Sequence, residues 1–428
     1  MSSFDSAAEP TSCPEAAAGP LDRLAARFVL GDMEALAGGR VTVVLPDGSV
    51  RRFGDAGGRD VRVDVLSWRT FRRLLLGGDC GAAEAYMDGD WRTDDLVGVV
   101  SLFVGNAGRF DRETPLTRAT TLWNRVRHAA RRNTLAGSRR NVRSHYDLGN
   151  DFYRLFLDEG MTYSCALFSR PGEDLEEAQE RKFRRIEELG GLGPGQRILE
   201  IGCGWGGFAV HAARRFGCHV TGLTLSEEQA AWARQRVRDE GLSERVDVRL
   251  LDYRSLSAAA DGRFDRIVSI EMLEAVGHEY LGAFFAKCDE MLRPGGLAVL
   301  QVITIPDRRH DRLLRRPDFI QKHVFPGSHV PSISAIAAAA ARSSSLFLGR
   351  VEEIGPHYAE TLRRWRLRFS ENRVRAARLG YDERFLRMWE YYLAYCEGGF
   401  LARHVNDVQI VLTREGTPDF APAAVYGG

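Results

Sequence analysis

The sequence predicts an α/β protein with a mostly parallel sheet covered by helices on both faces, preceded by a small α+β N-terminal domain. Three observations predict it. From Gln196 onward, short apolar runs alternate with longer helical patterns, the mark of strand-helix-strand units. The stretch Gly202-Cys203-Gly204-Trp205-Gly206-Gly207 follows the first of those runs directly and opens a helical pattern. The chain has 428 residues, 44% of them hydrophobic, and a net charge of +1, which allows two or three cored domains and does not suggest a disordered chain or a nucleic-acid binder.

Taken in order, residues 1–20 carry Asp5, Glu9 and Glu15, no basic residue and no long apolar region, so they read as a disordered leader and not a secretory signal. Residues 21–117 form the α+β domain. Its elements are a helical stretch from Leu21 to Leu36, hairpin-like runs at Arg40 to Leu45 and Asp60 to Leu66, and helices at Trp68 to Leu76 and Asp95 to Asn106. Val61, Val63 and Val65 alternate with Arg62 and Asp64, as a half-buried strand requires. Nothing there resembles a catalytic motif. Residues 118–143 hold Arg118, Arg125, Arg127, Arg131, Arg132, Arg139, Arg140 and Arg143 and no acid. Leu122, Trp123, Val126 and Ala129 fit one face of a basic amphipathic helix there, either a solvated linker or an attachment to an anionic membrane surface.

Residues 144–428 form the catalytic domain, with strands at Arg197 to Ile201, His219 to Leu223, Val246 to Leu251, Arg266 to Ile270 and Leu297 to Ile303. Helices follow at Phe208 to Phe216, Glu227 to Glu240 and Tyr280 to Leu292, the last closed by Pro294-Gly295-Gly296. Two long helical patterns, Ala359 to Leu379 and Glu383 to Phe400, lead to a last strand at Val408 to Leu412. No window holds the eighteen apolar residues of a membrane span. The seven cysteines are too dispersed for a disulfide framework or a zinc site, so a reducing cytoplasm is expected. Only Lys182, Lys287 and Lys322 are lysines among 59 basic residues, which looks like codon bias.

The glycines at 202, 204 and 206 let a backbone turn tightly and approach a ligand that a Cβ would block. Their GxGxG spacing is similar to the first motif of class I S-adenosylmethionine-dependent methyltransferases, a Rossmann-like fold. Asp252 closes the third strand, the usual place of an adenine contact in that fold. The carboxylate that usually ends the second strand is absent, and Thr224 and Gln229 stand ready to donate hydrogen bonds instead.

The segments Asn141-Val142-Arg143-Ser144-His145-Tyr146-Asp147-Leu148-Gly149-Asn150-Asp151-Phe152-Tyr153 and Met161-Thr162-Tyr163-Ser164-Cys165-Ala166 go further. So do Glu271-Met272-Leu273-Glu274-Ala275-Val276-Gly277-His278-Glu279, Phe325-Pro326-Gly327 and Tyr391-Tyr392. Together they resemble the cyclopropane fatty acid synthase family, which includes the mycolic acid methyltransferases, from about Asn141 to Arg414. The resemblance implies that an acyl-chain double bond takes the cofactor's methyl group and leaves a carbocation. Losing a proton from the added methyl closes a cyclopropane ring. Losing one from a chain carbon gives a methylene branch, a precursor of 10-methyl-branched acids such as tuberculostearate that calls for a partner reductase.

The resemblance assigns cofactor contacts to Tyr163, Ser164, Glu200, Gly202, Gly204, Gly206, Thr224, Leu225, Gln229, Asp252 and Tyr253. It assigns a bicarbonate ion, the proton acceptor, to Cys165, Glu274, Tyr358, Gln301 and the backbone of Ile303. Glu274 is expected to orient that ion and receive its proton. Tyr146, Phe152 and Phe168 are expected to line the substrate pocket, where ring faces, like that of Tyr153, stabilise a cation. Two departures from the bacterial synthase pattern stand out: Ala275 and Gln301 occupy places where it has histidine. Gln301 can donate a hydrogen bond but cannot carry a proton. The expected partners are a membrane phospholipid with unsaturated chains, taken from the inner membrane face through peripheral contact, and a second copy of the chain. A small-molecule N- or O-methyltransferase on the same fold is the competing reading.

Overall fold

A computed structural model describes residues 18–109, 148–315 and 318–417. Two compact units are present, one ending at Asp95 and the other beginning at Leu96.

The first unit carries α1 (Pro20–Met33), β1 (Gly39–Val44), β2 (Val50–Gly54), β3 (Arg59–Val65), α2 (Arg69–Met87) and β4 (Trp91–Arg92). Its sheet order is β2-β1-β3-β4. The two runs read as hairpin-like are not each other's hairpin partners: β1 and β3 are parallel, and β1 forms its hairpin with β2. The sequence pattern misses β2 because only Phe53 of its five residues is buried. Helix α2 runs on past Leu76 through a kink at Gly78, whose φ is 57°, because Ala83, Ala85, Tyr86 and Met87 are all buried beyond it.

In the second unit, α3 (Leu96–Gly105) packs closely on α12 (Glu383–Leu401), and a Cβ on Gly398 would lie 2.7 Å from Val100 Cγ1. That helix, placed by the sequence pattern in the N-terminal domain, falls in the second unit. The remaining helices are α4 (Leu175–Gly190), α5 (Gly207–Phe216), α6 (Glu227–Asp239), α7 (Leu281–Met291), α8 (Asp307–Arg315), α9 (Ile333–Ser343), α10 (Gly355–Glu371) and α11 (Arg373–Arg378).

The strands β5 (Arg197–Ile201), β6 (His219–Thr224), β7 (Val246–Leu250), β8 (Phe264–Ile270), β9 (Leu292–Thr304), β10 (Phe347–Glu353) and β11 (Asn406–Thr413) form one sheet in the order β10-β11-β9-β8-β5-β6-β7. From β7 to β9 all pairings are parallel, while β11 runs antiparallel to both β9 and β10. One apolar core joins Leu199, Ile201, Phe284, Phe285, Leu300 and Ile336. The other joins Ile186, Ile198, Phe208, Ala213, Val220 and Val299, with residues of α4, α5 and α6 on the opposite face. Strand order reverses at β5, which has β6 on one side and β8 on the other, so a ligand crevice is expected beyond the carboxyl ends of these two parallel neighbours.

Pro294-Gly295-Gly296 does not close a helix that reaches Leu292; α7 ends at Met291 and those residues lie inside β9. Strand β10 has no signal in the sequence, because an exposed edge strand with Arg350, Glu352 and Glu353 carries no apolar alternation. The long pattern from Ala359 to Leu379 breaks at Asn372, whose side-chain amide donates to the carbonyls of Leu155 and Arg368. Among the described residues no helix is long and apolar enough to cross a membrane. The arginine-rich segment 118–143 lies outside the described residues.

Candidate active site

The cavity beyond β5, β6 and β8 is built first by glycine. Gly202 has φ +84°, and a Cβ there would lie 2.6 Å from Met272 Cγ, so only glycine lets the loop after β5 pass the loop after β8. Of the eleven predicted cofactor residues, Tyr163, Ser164, Glu200, Gly202, Gly204, Thr224, Leu225, Gln229, Asp252 and Tyr253 line this cavity. Gly206 does not. It caps α5 in a left-handed conformation, and a Cβ on it would come within 3.1 Å of Ala233 Cβ, so it serves the packing of α5 on α6.

At the end of β6, Thr224 Oγ1 donates to Gln229 Oε1 at 2.8 Å, so the pair replaces the missing carboxylate with a neutral hydrogen-bonding edge. Asp252 is held by Arg254, with contacts of 2.6 and 2.9 Å, and Arg254 itself reaches the cavity. Glu200 is buried, its Oε2 has no hydrogen-bond partner among the described residues, and burial pushes its carboxyl up to about 8. An orphaned acceptor beside a glycine-lined wall fits the amine-bearing sulfonium cofactor that the resemblance implies.

The other side of the cavity is organised by a residue absent from the predicted set. Glu271 lines the cavity just past β8, at φ 50°, a left-handed conformation that costs a non-glycine residue about 1 to 3 kcal/mol. Its carboxylate accepts from the Cys165 backbone N–H at 2.7 Å, from Gln301 Nε2 at 2.8 Å and from the Tyr358 hydroxyl at 2.5 Å. Gln409 Nε2 donates to Gln301 Oε1 at 3.0 Å and so fixes which end of the Gln301 amide faces Glu271. Cys165 therefore contributes its backbone. Its thiol is fully buried, points at the carbonyls of Ala166 and Ile354, and is pushed up by burial.

Glu274 sits one turn further on, where its Oε1 accepts from the Ile303 N–H at 2.5 Å. Burial, reinforced by the nearby Glu271 charge, pushes its carboxyl up to about 8. Asp407, fully buried on β11, is pushed well above the ordinary range by burial and by the neighbouring Glu271. Lys182, fully buried on α4, donates to Ser164 Oγ at 2.7 Å and is pushed down to about 8 by burial.

This arrangement does not fit a bicarbonate ion. The donors expected to hold it, Cys165 N–H, Tyr358 O–H and Gln301 Nε2, are committed to the Glu271 carboxylate, and the Ile303 N–H to Glu274.

The substrate-pocket expectations fare differently. Phe152 is fully buried in an aromatic core, 4.7 Å from the ring of Tyr381 and 4.9 Å from that of Trp389, and does not line the cavity. Phe168 lies under the Arg364 guanidinium at 5.6 Å, also away from the cavity. Tyr146 lies outside the described residues. Tyr163 does line the cavity, with Phe183, Trp205, Phe208 and Tyr253; its hydroxyl is 2.8 Å from that of Tyr392 and its ring centroid is 5.3 Å from that of Trp365. A signal for Glu271 existed: it is the first residue past a parallel strand, at the edge where such sheets bind ligands. One for Lys182 existed too, as a rare lysine in a chain whose cations are otherwise nearly all arginine.

A family model described as Mycolic acid cyclopropane synthetase matches residues 134–410. Tuberculostearic acid methyltransferase UfaA1 of Mycobacterium tuberculosis is 40% identical over 369 residues, 83% of each chain. Cyclopropane-fatty-acyl-phospholipid synthase of Escherichia coli is 37% identical over 357 residues, 83% of this chain and 88% of its own. Among solved structures, mycolic acid cyclopropane synthase CmaA1 complexed with SAH and CTAB superposes with a TM-score of 0.59 at 33% identity, over 64% of this chain and 97% of its own.

Proposed function

The chain belongs to the mycolic acid cyclopropane synthetase family, a premise from which we propose that it transfers the methyl group of S-adenosylmethionine to the double bond of an unsaturated phospholipid acyl chain and closes a cyclopropane ring with Glu271 as the base. The cofactor, when bound, supplies an electrophilic methyl group that the double bond takes, leaving a carbocation on the chain. The glycine loop, Thr224, Gln229 and Asp252 hold and orient it, an effect that can be worth about 7 to 11 kcal/mol. Tyr163 offers a ring to the cation and, with the surrounding aromatics, excludes water.

The single observation that carries the reading is the Glu271 carboxylate, held by three donors on a residue that lines the cofactor cavity. It takes the place expected for bicarbonate, and no ion is needed to accept the proton. On this reading Glu271, which lines the same cavity as the glycine loop, would take one proton from the transferred methyl, and the electron pair left behind would close the ring on the cation. Tyr358, Gln301 and Cys165 position the carboxylate; Glu274 ties the loop after β8 to β9. The similarity to UfaA1 over 83% of the chain favours a second reading, in which the proton leaves a chain carbon and a methylene branch results.

Labelled cofactor and vesicles containing oleoyl phospholipid test both readings. Label in the acyl chain with ring-methylene proton resonances is expected. Exocyclic alkene protons select the branch, and label that never enters lipid overturns the proposal. Glu271→Gln is expected to lower turnover by about 10² to 10⁴ while SAH affinity changes by less than about tenfold. Equal losses in both would make Glu271 a cofactor ligand.

A further inference from the structure

Outside the cavity, three histidines from three separate segments converge. His278 lies on the turn that follows the Glu274 loop, His310 on α8, and His329 on the segment leading into α9. His310 and His329 are buried, and their Nε2 atoms are 3.0 Å apart. The three ring centroids are 5.0 to 5.3 Å from one another and the rings are tilted or edge-on, so their nitrogens meet and their faces do not stack. One nitrogen from each ring lies within 4.8 Å of the other two, and among the described residues no other group of three or more His, Cys, Asp or Glu does this.

We propose that His278, His310 and His329 form a binding site for a divalent transition metal of the zinc type, with water as fourth ligand. Imidazole nitrogen is the ligand such ions prefer, and a set without carboxylates disfavours calcium and magnesium. Zinc-nitrogen bonds of about 2.0 to 2.1 Å in a tetrahedron place ligand nitrogens roughly 3.3 Å apart. The buried pair is within a few tenths of an ångström of that spacing. His278, exposed on its turn, closes the third side by a side-chain rotation and leaves the outer face open to water.

The site has a structural consequence for the cavity. The His329 backbone N–H donates to the Glu274 carbonyl at 2.8 Å, and Phe325, four residues earlier, lies against Tyr163 and Tyr392. An ion held by the three imidazoles would clip the Glu271–His278 loop to the segment that carries Phe325. It touches none of the reacting atoms, and its role is to position that loop.

The experiment uses the full chain after chelator dialysis, titrated with cobalt(II) and, separately, with zinc followed by calorimetry. One equivalent of cobalt with the visible absorption of a four-coordinate nitrogen site is expected, and zinc should displace it and raise Tm by several degrees. His278→Ala, at an exposed position that leaves the fold intact, should weaken binding by at least about 100-fold, and His310→Ala should abolish it. No stoichiometric uptake by the wild type, binding indifferent to His278→Ala, or a thiolate-to-cobalt charge-transfer band each overturns the proposal. None of these readouts uses substrate, so the result is independent of the reaction proposed above.

Discussion

At the scale of single residues, two acids three positions apart in one loop have been given different tasks by their surroundings. Glu271 accepts three hydrogen bonds; Glu274 accepts one and is pushed up to about 8, largely by burial. Folding thus takes up a proton at Glu274 between its ordinary value of 4.5 and about 8. The stability this contributes is complete below the lower value and is lost as pH rises through the upper, by up to about 1.4 kcal/mol per pH unit. Glu274→Gln has no such proton to lose. Urea unfolding should show the variant gaining on the wild type by roughly 1 to 3 kcal/mol from about pH 6 to about pH 8. A difference that stays constant over that range would mean that Glu274 is ionised in the folded protein. Glu200, raised in the same direction, is present in both proteins and cancels. From sequence, the family resemblance placed Cys165, Tyr358, Gln301 and Ile303 in one neighbourhood, but not the direction in which each points. That Cys165 works through its N–H, and that Glu271 receives it, follows from backbone geometry at Cys165 and at Glu271.

At the scale of elements, the loops after β5, β6, β7 and β8 line one cavity at the edge where the alternation of strands and helices places it. Their cavity-lining residues were legible because strand-to-helix turns have few conformations and glycine marks the strained ones. Gly202→Ala is expected to force its Cβ against Met272 in a backbone conformation that alanine resists. At about 1 to 3 kcal/mol, calorimetry should find SAH binding weakened by roughly ten- to a hundredfold. Unchanged affinity would show that the loop after β8 can withdraw without disturbing the site. Gly206, identical in the motif, is a packing residue, a distinction that needs the position of Ala233. The elements missed, β2 and β10, are those with least apolar signal, because edge strands are stabilised by pairing and not by a buried face.

At the scale of the whole molecule, the net charge of +1 conceals the eight arginines of residues 118–143, just before the motif at His145. We infer that this segment brings the enzyme to anionic lipid. Replacing Arg125, Arg127, Arg131 and Arg132 by Gln should reduce partition onto anionic vesicles by about 10² to 10³, at roughly 1 kcal/mol each. Raising salt from about 0.05 to about 0.5 M should act in the same sense as screening shortens. Binding indifferent to both would return the segment to a linker role.

The sequence by itself determined the sheet, the glycine loop and the reaction class, since these depend on local periodicity and on motifs a few residues long. Tertiary structure alone decided which carboxylate takes the donors of Cys165, Gln301 and Tyr358, and that three histidines from distant segments meet. Those outcomes depend on contacts between residues as far apart as Cys165 and Glu271 or His278 and His329, where burial sets the charge state and the fold sets the direction.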